Sequence, residues 1–301
     1  MRIDLQIGGY AIRLHEREAR PCLHWPLRPF DSFLIQPEQP PDIDLEVRIV
    51  KTLPEVPHEP LIFDSSQGLW KLYAAESGYV LESPDTYTLR PRSVAIASKD
   101  FSHVEVWHCE QPCHAGPGWT PMHIVTPIVE VCLVTRLARD GGLLLHAAGV
   151  LTDHGGWVFT GPSGAGKSTL SDFFAAKGAS VLSDERIIIR KVAGEFRVFG
   201  TPWPGTSRLA KNQQGPLMAL CCISHGQGAH ALRRMSAREV SLFVLPQSFL
   251  PHWDRDAMDH TLAFLDQLID QIGCFELAFV KKPDIVAYLE EQRLGHPVAL
   301  S

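Results

Sequence analysis

Through the first 125 residues the apolar and polar positions fall into short runs. Ile3–Ile7, Ile43–Val50, Leu69–Tyr73, Tyr79–Glu82, Tyr87–Leu89, Val94–Ile96 and Val104–Trp107 are apolar or alternate with a period of two, as strands do when one face is buried. Gly8-Gly9, Glu76-Ser77-Gly78 and Ser83-Pro84-Asp85 punctuate them as turns. This half is expected to form an antiparallel meander or small β layer. No set of residues in it points to a chemistry.

The period then changes. His108 to His123 is irregular and rich in Pro and Gly. Thr126-Pro127 has the form of an N-cap followed by a first helical residue. Ile128, Val131, Val134 and Leu137 follow at helical spacing before Gly141-Gly142, so a helix is predicted over 126–140. After it come strand-like Leu143–Ala148 and Val150–Leu151, a turn at Asp153-His154-Gly155-Gly156, and an apolar strand at Trp157–Thr160. A helix is predicted from near Gly166 to about Ala176, a short strand at Ser180–Leu182, and a hairpin of Ile187–Arg190 with Phe196–Phe199 around Gly194.

Further on, Leu217–Ile223 reads as a buried strand holding Cys221-Cys222, and Ser236 with Glu239 forms a capping box before Val240–Val244. Leu262, Leu265, Leu268, Ile269 and Ile272 make a helical apolar stripe, Phe275–Val280 a strand, and Pro283 opens a last helix to Glu291. The organisation predicted is a β-rich region over 1–125, a connecting helix over 126–140, and an α/β domain over 141–301.

Composition narrows the class. Of 301 residues, 45% are apolar and 21% charged, with a net charge of −6. That balance excludes a wholly disordered chain and a polybasic nucleic-acid binder. There is no run of 18 apolar residues to span a membrane, and the start lacks the apolar segment of a signal peptide. Seven cysteines at irregular spacing suggest a reduced, cytoplasmic setting rather than a disulfide framework. The charge is uneven: residues 1–140 hold 13 basic and 19 acidic residues, whereas 141–301 hold 15 of each. The acidic first half is expected to attract a basic peptide.

Chemistry enters with Gly161-Pro162-Ser163-Gly164-Ala165-Gly166-Lys167-Ser168, followed by Thr169, which fits G-x-x-x-x-G-K-[ST] between a strand and a helix. Glycines let the backbone turn its N–H groups into one concavity, and the helix start adds partial positive charge, so the loop suits a phosphate chain. Lys167 can reach the β- and γ-phosphates, and the Ser168 hydroxyl can bind Mg²⁺. Asp184 lies 17 residues after Lys167, with Glu185 beside it at the end of a predicted strand. Carboxylates there can bind Mg²⁺ or take a proton from an attacking hydroxyl.

Together these pieces resemble the catalytic domain of HPr kinase/phosphorylase and, more closely, the looser group of HPr-kinase-related proteins. The matching blocks are HAAGVLTDHGGWVFTGPSGAGKSTL, GASVLSDER, FGTPWPGTSR and CFELAFVKKPD, spread over about residues 142–290. The resemblance implies an α/β fold with a P-loop nucleotide core like that of HPr kinase and phosphoenolpyruvate carboxykinase; the β-rich N-terminal domain read from the residues departs from the α/β N-terminal domain usual in that family. It implies Asp184 as catalytic base, His146 in a supporting role near the phosphates, and Glu185 where the family has a second Asp, for metal or for orienting Asp184. ATP and Mg²⁺ are the implied cofactors.

The family's E-I-R-G-type segment is absent; Phe199-Gly200-Thr201-Pro202-Trp203-Pro204-Gly205 stands in its place. HPr is therefore not the expected substrate. Related proteins with such a segment include kinases of peptide natural-product pathways, such as those phosphorylating a Ser of a lasso-peptide precursor. The expected activity is a serine kinase acting on a peptide or small protein, without nucleic acid and without a membrane span. The related family forms hexamers, so a homo-oligomer is one open possibility, which the altered N-terminal half could change. A non-catalytic nucleotide-binding scaffold and a small-molecule kinase are the alternatives.

Arg208 and Lys211 could form a mobile basic loop over the transferring phosphoryl group. Trp203 fits a core position and an acceptor cleft equally well. His108, Cys109, Cys113, His114 and His123 have metal-binding side chains, but their spacing matches no standard zinc pattern. Arg233-Arg234-Met235-Ser236 resembles a basic phosphorylation site, which the capping box explains more simply.

Overall fold

The structure is a computed structural model, and it describes residues 2–16, 30–36, 39–56, 60–65, 69–84, 91–109 and 121–292. The predicted strand at Tyr87–Leu89 and residues Asp85, Cys113 and His114 lie outside that set. The chain divides into two compact units, Met1–Arg136 with Pro251–Arg255, and Leu137–Leu250 with Asp256–Ser301.

The first unit contains strands β1 (Arg2–Ile7), β2 (Tyr10–Glu16), β3 (Ile43–Val50), β4 (Leu61–Asp64), β5 (Lys71–Ala75), β6 (Gly78–Pro84), β7 (Pro91–Ser98) and β8 (His103–Cys109). They form one sheet in the order β1-β2-β3-β8-β7-β6-β5-β4. Gly8 and Gly9, at φ 60° and 85°, supply the left-handed pair that turns β1 into β2. The alternation does what the pattern implied. Leu5, Ile12, Leu45 and Val106 are buried, while partly exposed charges pair on β1 to β3 and β8, as in Arg13–Asp4 at 2.9 Å and Arg48–Glu46 at 2.7 Å.

The sheet is mixed, which corrects the antiparallel meander expected from sequence. Strand β3 pairs in parallel with both β2 and β8. Parallel neighbours need long connections, and the 26 residues between Glu16 and Ile43 provide one. Strand β2 was also missed.

The predicted helix over 126–140 is present, with an extended Thr126 at its start and a short helix before it. After α1 (Met122–Ile124), Thr126 is extended at φ −126° and ψ 117°, and regular helix runs over α2 (Glu130–Asp140). The division between the units falls within that helix.

The second unit contains β9 (Gly142–Thr152), β10 (Gly155–Thr160), α3 (Lys167–Ala176), β11 (Ser180–Ser183), β12 (Arg186–Val192), β13 (Glu195–Phe199), β14 (Gln214–His225), β15 (Ala231–Arg234), α4 (Ala237–Val244), β16 (Ser248–Phe249), α5 (Arg255–Gln271), β17 (Gly273–Phe279) and α6 (Ile285–Glu291). The strand path is β10-β9-β12-β13-β14-β17-β15, with β11 and β16 on β9. An added β10–β14 pairing, which is parallel, closes β10, β9, β12, β13 and β14 into a ring.

Continuous apolar runs here are buried on both faces. Trp157 and Phe159 join a core with Leu170 and Phe174 of α3 and Ile285 and Leu289 of α6. Val158, one residue out of phase, joins Val240 and Val244 of α4 and Phe264 and Leu268 of α5. Cys221 and Cys222 separate in the same way into the two cores. Thus β10 is held rigidly from both sides where it enters the glycine-rich loop.

Candidate functional site

The loop Gly161–Ser168 leaves the end of β10 and runs into α3. Gly164 and Gly166 take φ 81° and 110°, which side chains resist. A Cβ on Gly166 would also lie 2.7 Å from Phe279, so the strand core requires glycine there as well. Gly166 is the N-cap of α3 and supplies no side-chain cap. The first N–H groups of a helix lack intrahelical partners, so this end presents donors to an anion.

Lys167 is buried, and its Nζ donates to Gly161 O at 2.8 Å and Pro162 O at 3.3 Å. Burial lowers its pKa, opposed by the nearby Glu185 charge. The desolvated ammonium is thus held by the loop carbonyls. Ser168, one residue into the helix, is half-buried.

Strand β11 brings the acidic pair to this loop, and the two carboxylates part company. Asp184 has no solvent exposure. Its Oδ1 accepts the Gly205 N–H at 2.7 Å and its Oδ2 the Ser207 N–H at 2.9 Å. Both oxygens serve a backbone turn.

Glu185 keeps 39% of its side-chain surface exposed, and its Oε1 lies 3.4 Å from His146 Nε2. The hydrogen bond with His146 chiefly lowers the Glu185 pKa; burial opposes this, and the charges of His146, Arg186 and Lys167 add to it. Register explains the meeting: Arg186 of β12 pairs with His146 of β9, and Ala147 N donates to Glu185 O at 3.0 Å. The structure therefore gathers His146, Lys167 and Glu185, with Asp184 facing away from solvent.

The segment Thr201–Lys211 is tied across β11. Ser183 Oγ donates to Trp203 O at 2.9 Å, Lys211 N donates to Leu182 O at 3.0 Å, and Ser183 bridges Ala210. Gly200 is obligatory, because a Cβ would sit 1.9 Å from Lys211 O. Trp203 is buried, so it belongs to the core and does not line an open cleft. Lys211 turns its Nζ to Ser180 Oγ at 3.4 Å, away from the acidic pair. Arg208 is exposed and has φ 54°, a left-handed backbone rare outside glycine. Sequence reasoning missed the N–H groups of Gly205 and Ser207. The G-T-S run was the available signal, since such residues favour tight turns.

Among the described residues no group of three or more His, Cys, Asp or Glu side chains is placed to hold a metal ion. In the first unit, His108 is buried, with Nδ1 2.7 Å from Ser93 Oγ and its ring stacked on His123. Burial and the nearby His123 and Arg92 charges hold its pKa at about 3. No described helix is long and apolar enough to cross a membrane.

Comparison with curated proteins finds no match. The HPr(Ser) kinase/phosphatase of Coxiella burnetii is a similar solved structure, with 12% sequence identity and a TM-score of 0.30 over 50% of this chain and 96% of that one. A family model described as SynChlorMet cassette protein ScmC matches residues 119–240, which include the glycine-rich loop, the acidic pair and the Thr201–Lys211 segment.

Proposed function

We propose that this chain is an ATP-dependent phosphotransferase that moves the γ-phosphoryl group of ATP to a Ser or Thr hydroxyl of a peptide or small protein. The observation that carries the reading is the Gly161–Ser168 loop. It joins a strand buried on both faces to a helix whose N-terminus has no side-chain cap, and it holds a desolvated lysine beside a half-exposed carboxylate. This combination supplies N–H donors and positive charge for a triphosphate, with a proton acceptor next to them.

In this reading the loop amides and Lys167 bind the β- and γ-phosphates. Ser168 offers a hard hydroxyl oxygen on the first turn of the helix, the donor type that Mg²⁺ accepts. Bound there, Mg²⁺ would neutralise charge on the phosphate oxygens. The chain's own residues orient the triphosphate and receive the hydroxyl proton. A precursor peptide of a natural-product pathway is the proposed acceptor class, and the setting is cytoplasmic.

The test has two arms. Calorimetry should show binding of MgATP to the full chain, and mass spectrometry should show phosphate added to a Ser-containing precursor peptide. Absence of MgATP binding overturns the reading. Binding without transfer to any hydroxyl, water included, would favour a nucleotide-binding scaffold instead.

A further inference from the structure

We propose that Lys281 is a second cation for the bound nucleotide, at its α-phosphate end, and that His230 is a positioning residue that holds Lys281 beside the glycine-rich loop. The proposal rests on the phosphotransferase reading and adds to it a contact from outside the loop.

Strands β10, β14 and β17 run parallel, so their C-terminal ends open on one edge of the sheet, where α/β sheets take ligands. The glycine-rich loop leaves the first of these strands, and Lys281 follows the last. Phe279 fills the space between them. A Cβ on Gly166 would lie 2.7 Å from the Phe279 ring and 3.7 Å from Lys281 Cε. The Lys281 stem thus passes the N-cap of α3, and its ammonium is one bond beyond Cε. Lys281 is exposed, and among the described residues no carboxylate pairs with it. Such a cation adds to the positive field of the helix start.

The order of the strands gives the nucleotide its direction. On one side of β10 lies β9, where His146 meets Glu185; on the other lies β14, with β17 beyond it. In the phosphotransferase reading the carboxylate side receives the γ-phosphoryl group and the acceptor. The phosphate nearest the nucleoside then lies on the β17 side, against Lys281.

His230 fixes the turn that carries this lysine. Its Nδ1 accepts the Val280 N–H at 3.2 Å. An accepting Nδ1 puts the ring proton on Nε2, which donates to Asp284 Oδ1 at 3.1 Å. One ring therefore ties the two ends of the segment 280–284, with its side chain only 10% exposed and Tyr288 packed 5.4 Å away. The turn is tightened further by Lys282 N donating to Val280 O at 2.7 Å, and Gly226 N donates to Phe279 O at 2.8 Å just before it. Asp284 is directed to His230, which leaves Lys281 available to an anion.

Calorimetry of MgATP and MgADP on the full chain tests both parts. Lys281→Met keeps the stem and removes the charge. It should weaken both nucleotides by the same factor, roughly tenfold, the low end for a hydrogen bond to a charged group because Lys281 is exposed. His230→Ala should also weaken both, and the double variant should bind no more weakly than Lys281→Met alone, since His230 acts through Lys281. His230→Asn, whose side-chain oxygen can accept the Val280 N–H, should recover most of the loss.

Unchanged affinity in Lys281→Met overturns the proposal. A loss for MgATP without one for MgADP would move Lys281 to the γ-phosphate and overturn its placement. Additive losses in the double variant overturn the positioning role of His230. In each of these outcomes the wild-type chain still binds; its failure to bind either nucleotide would defeat the phosphotransferase reading itself, and the proposal with it.

Discussion

Gly205 donates its N–H to Asp184 Oδ1 at 2.7 Å, and its Cα faces the acidic pair so closely that a Cβ would lie 3.0 Å from Asp184 Oδ2. Gly205→Ala should therefore displace the turn from both carboxylates. Overpacking of this kind costs about 1–3 kcal/mol. Turnover of MgATP should fall about tenfold or more, since small misplacements near reacting groups are costly, while the far-ultraviolet circular dichroism spectrum stays unchanged. Wild-type turnover in this variant would show that the turn tolerates displacement.

Lys167→Ala removes the ammonium held by Gly161 O and Pro162 O. A charged hydrogen bond to phosphate contributes about 1.5–3 kcal/mol, so MgATP affinity should weaken by roughly 10- to 100-fold in calorimetry. Burial disfavours the charged lysine, and removing it should not lower the thermal midpoint by much. Unchanged affinity would count against the loop as the phosphate site.

Acid should weaken the site through Glu185. Its hydrogen bond with His146 is the main cause of a folded-state pKa below the ordinary 4.5. The ionised group therefore contributes stability above 4.5, and that contribution is lost as pH falls through the lowered folded value. Glu185→Gln should reduce the acid loss of stability, measured by denaturant unfolding at neutral pH and below pH 4.5. The effect is modest, because the side chain is more than a third exposed and solvent screens the pair. An identical acid limb in the variant would show that the His146 contact does not act on stability.

Ser236→Ala should cost about 1 kcal/mol of stability. Ser236 Oγ accepts the Glu239 N–H at 3.4 Å, while the Glu239 carboxylate accepts the Ser236 N–H at 2.8 Å. The same carboxylate also holds Arg233 at 2.9 Å. The loss should appear in thermal unfolding with no change in MgATP affinity. Loss of nucleotide binding would mean that α4 supports the site more directly than its packing indicates.

Much of the second unit was readable because its signals are local. The glycine-rich loop, the strand before it, the helix after it and the capping box each depend on a few neighbouring residues. The family resemblance implied only that His146 lies near the phosphates; its nearness to Glu185 comes from the β9–β12 register. What Asp184 touches was hidden, because its partners Gly205 and Ser207 are 21 and 23 residues away and act through backbone N–H groups that every non-proline residue carries. Burial of Trp203 was hidden for the same reason: a tryptophan fits a core and a cleft alike, and only its surroundings choose.

Local sequence was enough to set where β1 turns at Gly8-Gly9, where α3 begins at Gly166 and which faces of β10 are apolar, since backbone sterics and side-chain periodicity act over a few residues. Tertiary structure alone decided that β3 lies parallel to β2 and β8, and that Pro251–Arg255 belongs with the first unit, where Trp253 packs against Phe63 and Trp70. It also decided which of two adjacent carboxylates is sealed and which stays open. The two residues lie in the bend between β11 and β12, and what each meets there is set by segments far away in the chain.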